Sequence, residues 1–192
     1  MEQMANVPLV DSQRADNRKL GMWIFLASEV MFFTSLIDGF INMKGRSPAG
    51  ANQVLNIPIT AINTFILILS STLVVLALAS AQDGKIKRAL YFLLGTWVLG
   101  AAFLSIQLNE YSNLLRVGVT PSGSLFGSGF YALTGFHGLH VFIGLAWLTG
   151  LIVMVIRGLV TREQSHVIEI FGLFWHFVDI VWIVLFIIVY LL

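Results

Sequence analysis

The sequence predicts an all-α integral membrane protein of five transmembrane helices, N-terminus cytoplasmic and C-terminus external. Three observations carry this. Of 192 residues, 57% are hydrophobic and only 11% charged, against about 25% charged in an ordinary soluble domain. Five apolar stretches are each long enough to cross ~30 Å of hydrocarbon, for which ~20 residues suffice. All eleven Lys and Arg fall outside those stretches.

A polar segment, residues 1–19, comes first and lacks the apolar core of a signal peptide, so the first span must direct its own insertion. That span covers residues 20–41. A loop carrying Gly45, Pro48 and Gly50 leads to the second span, 57–81, whose Pro58 sits in the first turn, where a missing donor is tolerated. Asp83-Gly84 marks a turn, followed by Lys85, Lys87 and Arg88. The third span, 89–108, carries no charge, and 109–124, with Pro121 and Gly123, reads as an extramembrane connection. The fourth, 125–156, would be about 48 Å long as a helix, so it must tilt or begin in the interface. The fifth, 167–192, ends the chain. Residues 20–192 read as a single membrane domain, with no repeat and no second unit.

Five spans put the two ends of the chain on opposite sides. On the N-terminal side lie Arg14, Arg18, Lys19, Lys85, Lys87, Arg88, Arg157 and Arg162; the other side has only Lys44, Arg46 and Arg116. Cytoplasmic loops carry the excess of basic residues, which sets the orientation given above. Arg88 and Arg157, at the inner surface, are candidates for lipid phosphate contacts. A formal charge of +1 gives no argument for nucleic acid, and zero cysteines exclude disulfides and thiolate chemistry.

Four acids, Glu29, Asp38, Glu169 and Asp179, fall within spans. No basic residue lies at their depth by sequence, so each is expected to be protonated, hydrogen-bonded to His or backbone, interfacial, or paired with another subunit. Asp38 and Glu169 are near span ends, which favours the interface. Glu29 lies near mid-membrane among Phe25, Leu26, Phe32 and Phe33. Charging it there would be costly, so it is expected to be neutral or hydrogen-bonded.

The last span contains Phe174-Trp175-His176-Phe177-Val178-Asp179-Ile180-Val181-Trp182. His176 and Asp179, three apart, share a helix face, and Trp175 and Trp182 lie on a neighbouring stripe. Ionisable groups in lipid normally face protein or a cavity, so one side of this helix should pack against something polar. In the fourth span, Thr134-Gly135-Phe136-His137-Gly138-Leu139-His140-Val141 places two imidazoles on one face. Metal or haem ligation is one reading of His-x-x-His. Hydrogen bonding to neighbouring helices is the second, and the better fit to so loose a ligand set. A serine hydrolase built on Gly127-Ser128-Gly129 is a third, though nothing brings Ser128 to a His. A proton or ion carrier using Glu29, the histidines and Asp179 is a fourth.

The motifs Thr134 to Val141 and Trp175 to Trp182 resemble subunit III of haem–copper terminal oxidases, typified by cytochrome c oxidase. Ser28-Glu29-Val30 with Phe32-Phe33, Asn63-Thr64 with Ser70-Ser71, and Gln107 with Glu110-Tyr111 extend the resemblance, in order, from Leu20 to the C-terminus. The length fits the five-helix form of that family. The resemblance implies a non-catalytic subunit of a proton-pumping oxidase that reduces oxygen to water in a bacterial cytoplasmic membrane. It implies no cofactor in this chain, with haem and copper in partner subunits. Subunit I would be the main contact, with subunit II and other oxidase subunits nearby. Glu29 matches the family's buried acid, beside Phe33 in a cleft that holds phospholipid, and the subunit would support stability and proton uptake. His137, His140, His176, Asp179, Trp175 and Trp182 would be interhelical polar groups and not metal ligands. Asp38 stands where an apolar residue is expected. The motifs lean towards cytochrome c as electron donor; the alternatives are a quinol oxidase subunit III and a stand-alone proton or ion transporter.

Overall fold

The computed structural model describes residues 7–47 and 55–192, with side chains from residue 17 onward. Residues 1–6 of the polar N-terminal segment, and Pro48 and Gly50 of the first loop, lie outside the described residues. Five helices follow one another: α1 (Val7–Gly45), α2 (Ile57–Gln82), α3 (Ile86–Arg116), α4 (Leu125–Ile156) and α5 (His166–Phe186). A single π turn, Ile187–Leu191, continues α5 to the end of the chain. All five helices are long and apolar enough to cross a membrane.

Local chemistry explains the boundaries. Asn56 caps α2 by accepting from the Ile59 amide at 3.2 Å, and Ser124 caps α4 by accepting from the Gly127 amide at 2.9 Å. Helices α2, α3 and α4 each end on a glycine with positive φ: Gly84 (77°), Gly118 (86°) and Gly158 (71°). At each, the residue after the glycine donates back five positions, Lys85 to Ser80, Val119 to Leu114 and Leu159 to Met154. This Schellman closure favours a residue without Cβ. The bounds of α4 fall where the sequence puts them. By contrast α3 runs on to Arg116 instead of stopping at Leu108. Residues 109–116 are polar but contain no Gly or Pro, so nothing breaks the helix before Gly118.

Interhelical contacts set the order of packing. Helices α1 and α5 run parallel: Lys19 meets Glu169 at one end, and Lys44 donates to the Ile188 carbonyl at the other. The start of α1 and the end of the chain therefore lie at opposite ends of the bundle. Helices α4 and α2 run antiparallel to their neighbours α1 and α5. Helix α5 buries the largest share of its surface and α1 the smallest. The centre is aromatic. Trp175 lies fully buried across α3 and α4, its ring so close to Gly100 and Gly144 that a Cβ on either would come within 3 Å of it.

Candidate functional site

Glu29 and His140 form the central polar contact, joining α1 to α4. Glu29 Oε2 is 3.2 Å from His140 Nε2, and both side chains are mostly buried. The other imidazole nitrogen, Nδ1, is 2.7 Å from the Phe136 carbonyl. A carbonyl only accepts, so Nδ1 carries a hydrogen. The bond at Nε2 then needs one proton, held by either the carboxyl or the imidazole, and the pair is neutral overall in both forms. Aromatic rings enclose it: Phe33, buried, lies edge-on to His140 at 5.1 Å, and Phe32 packs on Phe136 at 5.2 Å.

A second set of polar groups forms a seam between α2 and α5. Trp175 Nε1 donates to Ser70 Oγ at 3.0 Å and Trp182 Nε1 donates to Thr64 Oγ1 at 2.9 Å. His176 Nδ1 hydrogen-bonds Ser71 Oγ. Ser70 and Thr64 pass their own hydroxyl protons to the α2 carbonyls of Leu67 and Thr60. Each hydroxyl accepts from α5 and donates to its own helix, which uses both of its capacities. The polar partner that one face of α5 requires is thus helix α2.

Not every expected group behaves alike. His137 and His140 sit three apart, roughly 60° around the helix, and in this bundle that sends them to different neighbours. His140 meets α1, whereas His137 is fully buried, stacked on Trp182 at 4.8 Å and edge-on to Phe103 at 5.9 Å. Among the described residues, neither His137 nitrogen has a hydrogen-bond partner, and the buried Asp179 carboxyl lies against the Ser71 hydroxyl. Aromatic walls face His137, whereas the Ser71 hydroxyl that Asp179 adjoins belongs to α2 and also meets His176. The Asn63 carbonyl oxygen is buried without a partner among the described residues, and the buried Gln107 lies beside Tyr111.

Glu169 lies at a span end, where the sequence reading put it, but finds a basic partner that reading did not expect. It pairs with Lys19 at 2.8 Å, because α5 begins at His166 and leaves it in the first turn, level with the start of the α1 span. Asp38 is exposed on α1. Arg88 and Arg157 are exposed; Arg88 lies over the Phe92 ring at 5.7 Å and Arg157 is the C-cap of α4. Near Arg88, the Asp83 carboxyl is held below its usual range by its hydrogen bond to Lys85 and by that ammonium's charge.

Sequence reasoning missed Glu110 as a membrane-helix acid, having placed it in a loop. Its Oε1 accepts from Thr60 at 3.3 Å and its Oε2 from Tyr190 at 2.8 Å, tying α3 to α2 and to the end of the chain. The uninterrupted helical run from Gln107 to Arg116 was the available signal. Among the described residues, no three His, Asp or Glu side chains converge as a metal site would require.

Comparison with known proteins follows the same outline. A family model described as cytochrome c oxidase subunit III matches residues 12–192. Quinol oxidase subunit 3 of Bacillus subtilis is 36% identical over 175 residues, 90% of this chain and 86% of that protein. Cytochrome bo(3) ubiquinol oxidase subunit 3 of Pseudomonas aeruginosa is 36% identical over 179 residues, 92% and 85% of the two chains. Cytochrome c oxidase subunit 3 of Alkalihalophilus pseudofirmus is 32% identical, covering 92% of this chain and 87% of its own.

Proposed function

Because the chain belongs to the cytochrome c oxidase subunit III family, we propose that it is the non-catalytic subunit III of a proton-pumping terminal oxidase in a bacterial cytoplasmic membrane. As subunit III of a haem–copper oxidase, it partners other oxidase subunits. Subunit I is its main contact in this reading, and oxygen reduction takes place on haem and copper held by those partners. The chain's own part is to keep that core stable through turnover, to hold phospholipid beside α1 and to support proton uptake.

The observation that carries the reading is the Glu29–His140 pair. It supports the reading by joining a carboxyl near the middle of α1, the least covered helix, to α4 beside the buried Phe33. Two of the three relatives above are named for quinol, at 36% identity, and one for cytochrome c, at 32%. That ranking supports quinol as the electron donor over the cytochrome c that the sequence motifs favour.

The test is to purify the tagged chain in mild detergent and record a reduced-minus-oxidised spectrum. Co-purifying haem with oxygen consumption is the expected result, faster with a quinol than with reduced cytochrome c. A colourless preparation that moves protons or ions unaided would instead establish a transporter.

A further inference from the structure

Helix α1 turns one face away from the rest of the bundle, and that face carries an acid. Phe33 marks the inward side, packed on α4 at His140 and on α5 at Phe177. At about 100° of turn per residue, Ile24, Ser28, Met31, Ser35, Asp38 and Asn42 all fall within about 40° of the opposite direction, and all six are exposed. Their steps alternate four and three, the 3.5-residue period with which two helices pair in a left-handed crossing. Asp38 is not at the end of its helix, since α1 runs past Ile41 to Gly45. Lys19 and Lys44 lie about 37 Å apart along α1. A hydrocarbon layer of ~30 Å centred between them reaches about 5 Å beyond Asp38. Its one methylene is too short a stem to cover that distance, and Cβ on a helix tilts towards the N-terminus, away from the nearer surface.

We infer that this face of α1 docks a transmembrane helix of a partner oxidase subunit, and that this helix presents a Lys or Arg side chain to Asp38. The inference rests on the reading of the chain as an oxidase subunit and assigns one contact of that assembly to one helix face. An acid inside hydrocarbon needs a partner, and this chain brings none to Asp38. Ser35 and Asn42, one turn to either side, donate to the backbone carbonyls of Met31 and Asp38. Lys44 points into the bundle, where it donates to the Ile188 carbonyl, and Arg46 lies about 12 Å further along the axis. The ion pairs formed among the described residues do not include Asp38. A second copy of this chain is a poor occupant, because two-fold packing on this face sets Asp38 against Asp38. Lipid tails offer the carboxyl nothing. A basic side chain on a neighbouring helix answers the charge and fixes the depth of that helix against α1, while the small Ser28 and Ser35 let the two backbones approach. The face is separate from Glu29, which points to α4.

The experiment uses the whole complex in its native membrane. The photo-cross-linker p-benzoylphenylalanine replaces Met31, which is 75% exposed on this face. Irradiation should join α1 to one partner subunit, on a helix with a Lys or Arg about two turns from the linked residue. That partner is then tagged, and the amount of this chain it retains is followed on dilution in detergent. Asp38→Asn should weaken retention about tenfold or more, as expected for loss of a charged hydrogen bond, whereas Asp38→Glu should stay near wild type. Asp38→Lys should abolish it, and changing the partner's cation to Asp in the same complex should bring it back. Cross-links to lipid alone overturn the proposal, as does wild-type retention in Asp38→Asn, or a reversed pair that recovers nothing. Haem in the wild-type preparation reports on the oxidase reading separately, since neither the cross-link nor the charge reversal is scored by it.

Discussion

The Trp175 ring covers Gly144 so closely that a Cβ on the glycine would lie 2.7 Å from ring atom Cζ3. Neither partner has room to give, since Trp175 is fully buried, abuts Gly100 from α3, and is held by Ser70 through Nε1. Gly144→Ala should therefore overpack the centre of the bundle at a cost of about 1–3 kcal/mol. The assembled complex should inactivate at a lower temperature. Adding Trp175→Phe should recover part of the loss, because the two changes share one space. A strictly additive pair in thermal-inactivation measurements would show that the contact is not the cause.

Glu29→Gln should assemble with near-normal activity. Its amide can donate to His140 Nε2 as the protonated carboxyl would, keeping the imidazole bonded at both nitrogens. Glu29→Ala leaves Nε2 buried without a partner, a penalty of about 1–3 kcal/mol. It should lose activity faster during turnover with a smaller effect on initial rate. Infrared difference spectra of wild type against Glu29→Gln locate the shared proton. A protonated-carboxyl band at neutral pH puts it on Glu29; its absence puts it on His140, and Gln should then be as harmful as Ala.

Changing His137 and His140 together to Gln should leave haem and copper per assembled complex unchanged, because Gln is a poor metal ligand. The yield of complex should fall. One change disturbs the Glu29 bond, and membrane polar contacts contribute on the order of 0.6 to 2 kcal/mol each. The metal-to-protein ratio of purified complex is the readout. A drop in it would make the histidines ligands.

The basic residues predict a cytoplasmic N-terminus and an external C-terminus. A reporter active only in the cytoplasm, fused after Leu192, should be silent, whereas the same reporter in the turn at Gly84 should be active. Activity at Leu192 would reverse the assignment.

The spans were legible because hydropathy along the chain is set by lipid, whatever the helices later touch. Helix α4 was legible to the residue, since its apolar run begins and ends where the helix does. The end of α3 was not. Asn109, Glu110 and Asn113 suit a loop as well as a helix emerging from lipid, and the ties from Glu110 to Thr60 and to Tyr190, eighty residues on, are long-range contacts that composition does not show. The seam residues Ser70, Ser71, Trp175 and Trp182 all stood out by type, but their pairing did not. Pairing depends on which helix lies beside α5, and one sequence carries no record of neighbours. The histidines of α4 show the same limit at finer scale. A turn of roughly 60° is negligible on a lone helix and decisive in a bundle, where it separates a partner carboxyl from an aromatic wall.

The Glu29–His140 bond also has an order in time. The imidazole lies 111 residues after the carboxyl in the chain. At about 5–20 residues per second of synthesis, Glu29 waits roughly 6 to 22 s for it. During that interval α2 and α3 are synthesised, and the acid has no imidazole from α4 to meet. A nascent chain halted between α3 and α4 carries an unclosed carboxyl at mid-membrane. The arrival of α4 supplies the missing imidazole.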